Sequence, residues 1–368
     1  MAASLGRRRF LHAAAALGGA VAVGGFRPAR AAAIDVPVID KLSIRVLVDS
    51  SFDNFLRPSQ GHGVSITPLP RTADYRRALH NEWGLSLWLE PERAGQRKTL
   101  MLDYGYTPEV LANNMELIGV DPAKIDALIM SHGHYDHFGG LVGFLDRFRK
   151  VLPPDVKLYA GGEDNFCPRL NRTGTPGQFS EYGALDRREI AARKVALLLG
   201  ESPMVIEGQA FTTGTIKRNS MEKVLPNTMV QFASKDGVGC DAAKYLPAEM
   251  VGKLVPDEHI HEHATCFHLK DKGLVVISSC GHTGIVNSVR QAQEVSGVDK
   301  VHAILGGFHL GPAPDDYLKQ VVAEIRKLKP DVLIPMHCSG QNFVQEARVQ
   351  MPENLMLATT GSRITFGA

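Results

Sequence analysis

The 368-residue chain predicts an α/β architecture, two β-sheets packed face to face with helices outside, a four-layer αββα sandwich carrying insertions. Three observations carry this expectation. Short apolar runs of strand length, such as 274–278 and 332–335, alternate with stretches of helical length and period. The order strands, helix, strand occurs twice, once on each side of a polar, Gly- and Pro-containing middle. Hydrophobic residues make up 44% and charged residues 22%, the balance of an ordinary globular protein with enough apolar side chains to cover two sheets.

Taken in order, residues 1–31 stand apart. Arg7-Arg8-Arg9-Phe10-Leu11 heads a mild apolar stretch from Ala13 to Gly25, and Ala29-Arg30-Ala31 offers a small-x-small cleavage site. This reads as a twin-arginine signal peptide, with Gly6 where Ser or Thr is commoner. It implies the twin-arginine translocase as a partner and a periplasmic or otherwise extracytoplasmic mature protein, exported folded with its metals already loaded. The apolar segment is too short for a stable membrane span.

The main domain is expected over 42–366. Strands are read at 42–48, 85–89 and 99–102, then a helix at 108–118 opened by Thr107 as cap and Pro108 at the first helical position. A strand ending at Met130, a polar loop, a helix at 140–149 and a strand at 156–160 complete the first half. Residues 161–200 are rich in Gly, Pro, Asn, Arg and Ser and read as an insertion or lid. A second elaboration is expected over 219–263. Between and after these come strands at 211–216, 265–269, 274–278, 301–305, 332–335 and 364–366, with helices at 285–294, 315–328 and 341–349.

Lys and Arg total 41 against 39 Asp and Glu, so no large field favours nucleic acid or an anionic membrane. Five scattered cysteines form no C-x-x-C pair, which argues against a zinc ribbon or a redox motif. In an exported chain one pair could be oxidised. Cys280 and Cys338 each stand within two residues of a candidate ligand, as bystanders or participants.

The chemistry concentrates in Ser131-His132-Gly133-His134-Tyr135-Asp136-His137. In extended backbone, residues i and i+2 project to one side, so His132 and His134 can converge on one cation. The chain then turns, and Asp136 and His137 project elsewhere from a helix start. Two ligand pairs aimed differently suit two cations, and imidazole with carboxylate favours zinc, iron or manganese over calcium or magnesium. His282, His309 and His337 each follow an apolar strand, where loops gather at a sheet edge. His261 and His263 lie in an acidic loop upstream and read foremost as surface residues.

The His-x-His-x-Asp-His stretch after a strand resembles the signature of the metallo-β-lactamase-fold superfamily. Glu82-Trp83-Gly84-Leu85-Ser86, Leu102-Asp103-Tyr104-Gly105, 279–287 (SCGHTGIVN), Gly306-Gly307-Phe308-His309-Leu310 and His337-Cys338-Ser339-Gly340 together resemble the branch labelled dihydropterin–ribofuranosylaminobenzene 5′-phosphate synthase. The likeness spans roughly 42–366. Trp83 departs from it, since that branch usually reads Glu-His-Gly. The resemblance implies the αββα sandwich and makes His337 the distal ligand. No Asp stands at Cys280 or His282, where relatives often place a bridging carboxylate.

The expected centre therefore holds two divalent ions, zinc foremost with iron or manganese as alternatives, on His132, His134, Asp136, His137, His282 and His337. Asp136 and His309 are the candidate catalytic groups, Asp136 orienting a nucleophile or moving its proton and His309 meeting the substrate. The leading expectation is a metal-dependent hydrolase attacking an ester, lactone, amide or phosphoester through an activated water. The alternatives are a synthase-like transferase and a diiron redox or non-catalytic metal-binding protein. The substrate is read as a small, anionic molecule, with Arg169, Arg172, Lys217 and Arg218 as possible contacts. Residues 281–285 open a helix whose N–H groups could hold a phosphate or be plainly capped.

Overall fold

In the computed structural model, the described residues are 33–69, 74–225, 228–235, 238–241 and 247–367, so the signal peptide expected at 1–31 lies outside them. Two large sheets form the middle of the molecule. The first runs Ala196–Leu199, Lys157–Ala160, Ala127–Met130, Leu100–Leu102, Ser86–Arg93, Lys41–Val48, Arg363–Phe366, Val64–Thr67 and Ser59–Gly61, with Gln96–Arg97 attached to Ser86–Arg93. The second runs Val205–Ile206, Ala210–Thr212, Thr265–Leu269, Gly273–Ser278, Val301–Gly306 and Val332–Pro335, with Val38–Ile39 beside Thr265–Leu269.

Alternating apolar side chains close the sandwich. Ile44, Leu87, Leu89, Leu102 and Ile129 of the first sheet share a dry core with Phe267, Val275, Ile277, Leu305 and Ile334 of the second. The outer face of the first sheet is covered by helices Pro108–Ile118 and Leu141–Phe148 through Leu111, Met115, Leu141 and Phe144. Helices Ile285–Ser296, Asp315–Lys327 and Gln341–Gln350 cover the second through Val289, Val322, Ile325 and Phe343. The expected four-layer αββα sandwich is the fold.

Helix Pro108–Ile118 starts where its cap predicts: the Thr107 side chain accepts from the Val110 N–H, and Gly119 ends the helix in the left-handed conformation. The helix expected at 140–149 is present as Leu141–Phe148, and a short helix that was not expected, Tyr135–Phe138, precedes it. The break falls at Gly139-Gly140, where the loop bearing Tyr104 and Tyr106 lies against the chain. A Cβ on Gly139 would stand 2.3 Å from the Tyr106 carbonyl, and one on Gly140 2.2 Å from the Tyr104 carbonyl. The hairpin of Ser59–Gly61 and Val64–Thr67 was not foreseen, because its strands are short and half exposed.

The two insertions are not separate irregular lids. Arg169–Arg172 and Phe179–Gly183 from one join Met229–Gln231 and Leu254–Pro256 from the other in a single four-stranded antiparallel sheet. Ala196–Leu199, inside the first expected insertion, belongs to the main sheet, parallel to Lys157–Ala160. A disulfide between Cys167 and Cys240 ties the two segments across 73 residues of sequence. Among the described residues no helix is long and apolar enough to cross a membrane.

Because that disulfide closes a long loop, Cys167→Ser lowers stability by roughly 2–4 kcal/mol. Calorimetry of the oxidised wild type against the variant reads this as a drop in Tm; equal melting would remove the disulfide from any structural role.

Candidate metal centre

The strands Lys41–Val48, Leu100–Leu102, Ala127–Met130, Gly273–Ser278, Val301–Gly306 and Val332–Pro335 end at one rim of the sandwich. The next residues in turn include Asp49, Asp103, His132, His282, His309 and His337.

Asp103 organises the first loop. Its Oδ1 accepts the Ser131 N–H at 2.8 Å, and its Oδ2 accepts the Ser131 hydroxyl at 2.7 Å and His137 Nδ1–H at 2.8 Å. With the hydroxyl proton so committed, Ser131 Oγ accepts from His132 Nδ1–H at 2.9 Å. Both imidazoles thus keep a lone pair on Nε2, and each Nε2 is buried without a hydrogen-bond partner. Burial, reinforced by His137 and His134, drives the His132 imidazole well below its ordinary range, into the neutral form a metal ligand requires. His134 Nε2–H donates to Thr228 Oγ1 at 2.9 Å, which leaves Nδ1 to face inward. The glycine between them is needed, since a Cβ on Gly133 would stand 2.2 Å from the Asn165 carbonyl.

Two donor groups result. His132, His134 and His282 bring one ligand atom each to within 4.8 Å of the others, and Asp136, His137 and His337 do the same. Asp136 Oδ2 lies 3.3 Å from His337 Nε2 and 3.7 Å from His137 Nε2. Burial would raise the Asp136 carboxyl, yet His137 and His337 outweigh it and hold it well below the usual carboxylate range. Burial would likewise lower the His337 imidazole, but Cys338 and Asp136 outweigh it and hold it up. The His337 backbone sits at φ 50°, fixed by its N–H on Asp49 Oδ1 at 2.6 Å and by Nδ1 against Ser50 Oγ at 2.9 Å. Buried imidazoles with orphaned nitrogens beside an ionised carboxylate fit a pair of divalent cations.

His259, Asp257 and Tyr182 escaped sequence reasoning. His259 stacks on His282 with centroids 3.8 Å apart and planes within 9°, and it lies beside His132 and His134. With His134 and Asp257 it forms a further donor group. His259 follows the strand Leu254–Pro256, which is too short to carry a pattern in the sequence, and its one signal was the Asp257-x-His259 spacing. The neighbours considered from sequence go elsewhere: His261 pairs with Asp164 at 2.7 Å, and His263 donates to the Met130 carbonyl at 3.0 Å.

Several sequence candidates are corrected. Arg169 is buried beneath the centre with Nε on Asp257 Oδ2 at 2.6 Å, so it supports the ligand loops rather than meeting substrate. Lys217 and Arg218 are committed to Glu294 and Glu258. The N–H groups at 281–285 are no phosphate cradle. Glu262 takes the His282 and Thr283 N–H groups at 3.1 and 2.7 Å, and Glu222 takes those of Val286 and Asn287. Two carboxylates already there repel a third anion.

A cavity of about 250 Å³ opens over the centre, lined by Asp136, Arg172, Tyr182, His309 and His337 among others. Tyr182, from the insertion sheet, donates its hydroxyl to Asp136 Oδ1 at 2.7 Å. Trp83 is 56% exposed and sets its ring 5.0 Å from that of His337. Cys280 Sγ falls within 4.8 Å of donor atoms of both His132 and His137.

Residues 87–171 match the model of the metallo-beta-lactamase superfamily. Over 273 residues the chain is 28% identical to 7,8-dihydropterin-6-methyl-4-(beta-D-ribofuranosyl)-aminobenzene-5'-phosphate synthase of Methanocaldococcus jannaschii, covering 73% of this chain and 84% of that one. A second protein of that organism, the uncharacterized MJ0448, is 28% identical over 66% of this chain and 80% of its own. Among solved structures, Tm1679, described as a metal-dependent hydrolase of the beta-lactamase superfamily, superposes with a TM-score of 0.62 at 19% identity, covering 88% of this chain and 98% of that one.

Asp103→Ala removes the acceptor that fixes His137 and, through Ser131, His132. Metal affinity should fall roughly 10–100-fold, measured by competition with a chromophoric chelator; unchanged affinity would show that the imidazoles are oriented without it.

Proposed function

From a chain that carries a metallo-β-lactamase superfamily domain on the corresponding fold, we propose a metal-dependent hydrolase of a small anionic substrate, acting on an ester, lactone, amide or phosphoester. The observation that carries this reading is the meeting of two donor groups, His132/His134/His282 and Asp136/His137/His337, at one cavity. Two divalent ions held there, zinc foremost with iron or manganese as alternatives, would supply Lewis-acid polarisation and bring the ionisation of a water near neutral pH.

The chain's own residues do the rest. Asp136 stays ionised, and the Tyr182 hydroxyl on Oδ1 fixes the plane in which its other oxygen meets His137 and His337. A carboxylate held so far below its usual range carries no proton to give and is a weak base, so Asp136 orients rather than moves a proton. His309 lines the cavity with a buried, unpartnered Nε2, placed to hydrogen-bond a bound substrate. Arg172 and Asn171 bring a guanidinium and an amide to the opposite wall, a pairing suited to carboxylate or phosphate. Trp83 supplies a flat apolar wall over His337 in place of an imidazole.

The mature protein is proposed to act outside the cytoplasm after twin-arginine export. The Cys167–Cys240 disulfide supports this, since such bonds persist in oxidising compartments. A second reading, transfer chemistry of the synthase kind, is supported by the name of the 28% identical relative and by Arg172 as a phosphate partner.

The test is a panel of phosphodiesters, lactones and carboxylic esters offered to metal-analysed protein with and without an arylamine acceptor. Hydrolysis without the acceptor, lost on chelation, restored by metal, and abolished in His134→Ala and Asp136→Ala with unchanged circular dichroism, is the expected result. Turnover only with the amine would replace the hydrolase by the synthase reading; full activity in either variant would sink both.

A further inference from the structure

We propose that Cys280, Cys338 and His309 form a third cation site, for a thiophilic d10 ion of the zinc type, with its fourth position open to the cavity. This goes beyond the hydrolase reading, because none of its three donors belongs to either His/Asp group. Cys280 Sγ and Cys338 Sγ lie 3.1 Å apart, and His309 Nδ1 lies 3.7 Å from Cys280 Sγ. All three donors fall within 4.8 Å of one another. Tetrahedral zinc with two sulfurs and one nitrogen spaces its ligand atoms roughly 3.5–3.8 Å apart. The His309–Cys280 spacing already matches, and a small rotation of either buried thiol opens the sulfur pair to it.

The backbone is shaped for this cluster. His309 sits at φ 48°, a conformation that costs energy for a residue with a side chain. There its N–H donates to Cys338 Sγ at 3.1 Å, a bond that favours thiolate. Gly307 lets the strand end close on the sulfur, since a Cβ there would stand 2.9 Å from Cys338 Sγ and 3.1 Å from His337 Cδ2. Cys266 gives the contrast: it is equally buried, sits in the core strand Thr265–Leu269, and belongs to none of the donor groups found among the described residues.

Two thiols and an imidazole select zinc or a similarly soft ion over magnesium or calcium. Three protein ligands with an open side are the arrangement of a reactive rather than a closed structural site. The open side is given by the cavity, which Cys280, Cys338 and His309 line together with Tyr182. Cys280 Sγ also approaches donors of His132 and His137, so the third site shares an edge with the histidine centre.

The full chain, reduced and stripped of metal, is titrated with Co2+ as a zinc surrogate. The proposal expects near-ultraviolet sulfur-to-cobalt charge transfer, and the loss of one bound equivalent with that band in Cys338→Ser and in His309→Ala. Asp136→Ala serves as control, losing metal while keeping the band. Absence of the band in folded wild type overturns the proposal. So does a band lost only in Cys280→Ser, which would assign that thiolate to the histidine centre alone, or a Cys280–Cys338 disulfide in protein prepared without reductant. Should the variants not fold, Zn2+ protection of Cys280 and Cys338 from alkylation in the wild type, read by peptide mass spectrometry, decides; no protection overturns it. None of these readouts depends on hydrolysis.

Discussion

The arrangement of the centre depends on the carboxylate of Asp103, buried where strand Leu100–Leu102 ends. Its backbone N–H reaches the Ile129 carbonyl, its own carbonyl accepts the Ser86 hydroxyl, and its side chain takes the Ser131 N–H and hydroxyl and His137 Nδ1–H. Three strands are thereby joined at one rim, and two imidazoles are turned so that Nε2 faces inward. A buried anion is costly unless its lone pairs are filled. Here the groups that fill them are the ones whose orientation the centre requires, so the cost of burial and the positioning of the ligands are met by the same bonds.

The second sheet repeats the device with different residues. Asp49 holds the His337 N–H, and Glu262 holds those of His282 and Thr283, in each case a buried carboxylate clasping the backbone of a ligand-bearing loop. Burial pushes both carboxyls up, and the donors around them oppose it. Loops at strand ends carry backbone N–H groups that no ladder satisfies. Filling them with side-chain carboxylates satisfies the loop and fixes its shape, and in the case of 281–285 excludes an anion from the helix start.

Local periodicity made the sandwich legible: the runs at 265–269 and 332–335, and the Thr107-Pro108 start, correspond to elements in the structure. The paired donors of the first loop were legible for the same reason, since the two-residue period aims His132 and His134 together. What stayed hidden rests on contacts between distant segments. The union of the two insertions into one sheet depends on pairing between Arg169–Leu170 and Met229–Val230, for which neither segment carries a pattern. His259 was hidden because the strand before it, Leu254–Pro256, is three residues long and partly exposed, too short to show a period. Arg169 read as a possible substrate contact because its partner Asp257 stands 88 residues away.

These hidden contacts divide the labour within the cavity. The donors come from strand ends of the two main sheets, whose positions the shared core fixes. Arg172 and Tyr182 come from the insertion sheet, whose two segments are held together by the buried Arg169–Asp257 pair and by the disulfide. Tyr182 on Asp136 and Thr228 on His134 are where the two systems touch. A substitution at Arg172 changes what the cavity recognises without disturbing a ligand, whereas one at Arg169 leaves Asp257 buried without its cation and loosens the ligand loops beneath. The arginines at the two ends of one four-residue strand therefore serve opposite ends of the same site: one shapes recognition from the wall, the other holds the floor in place.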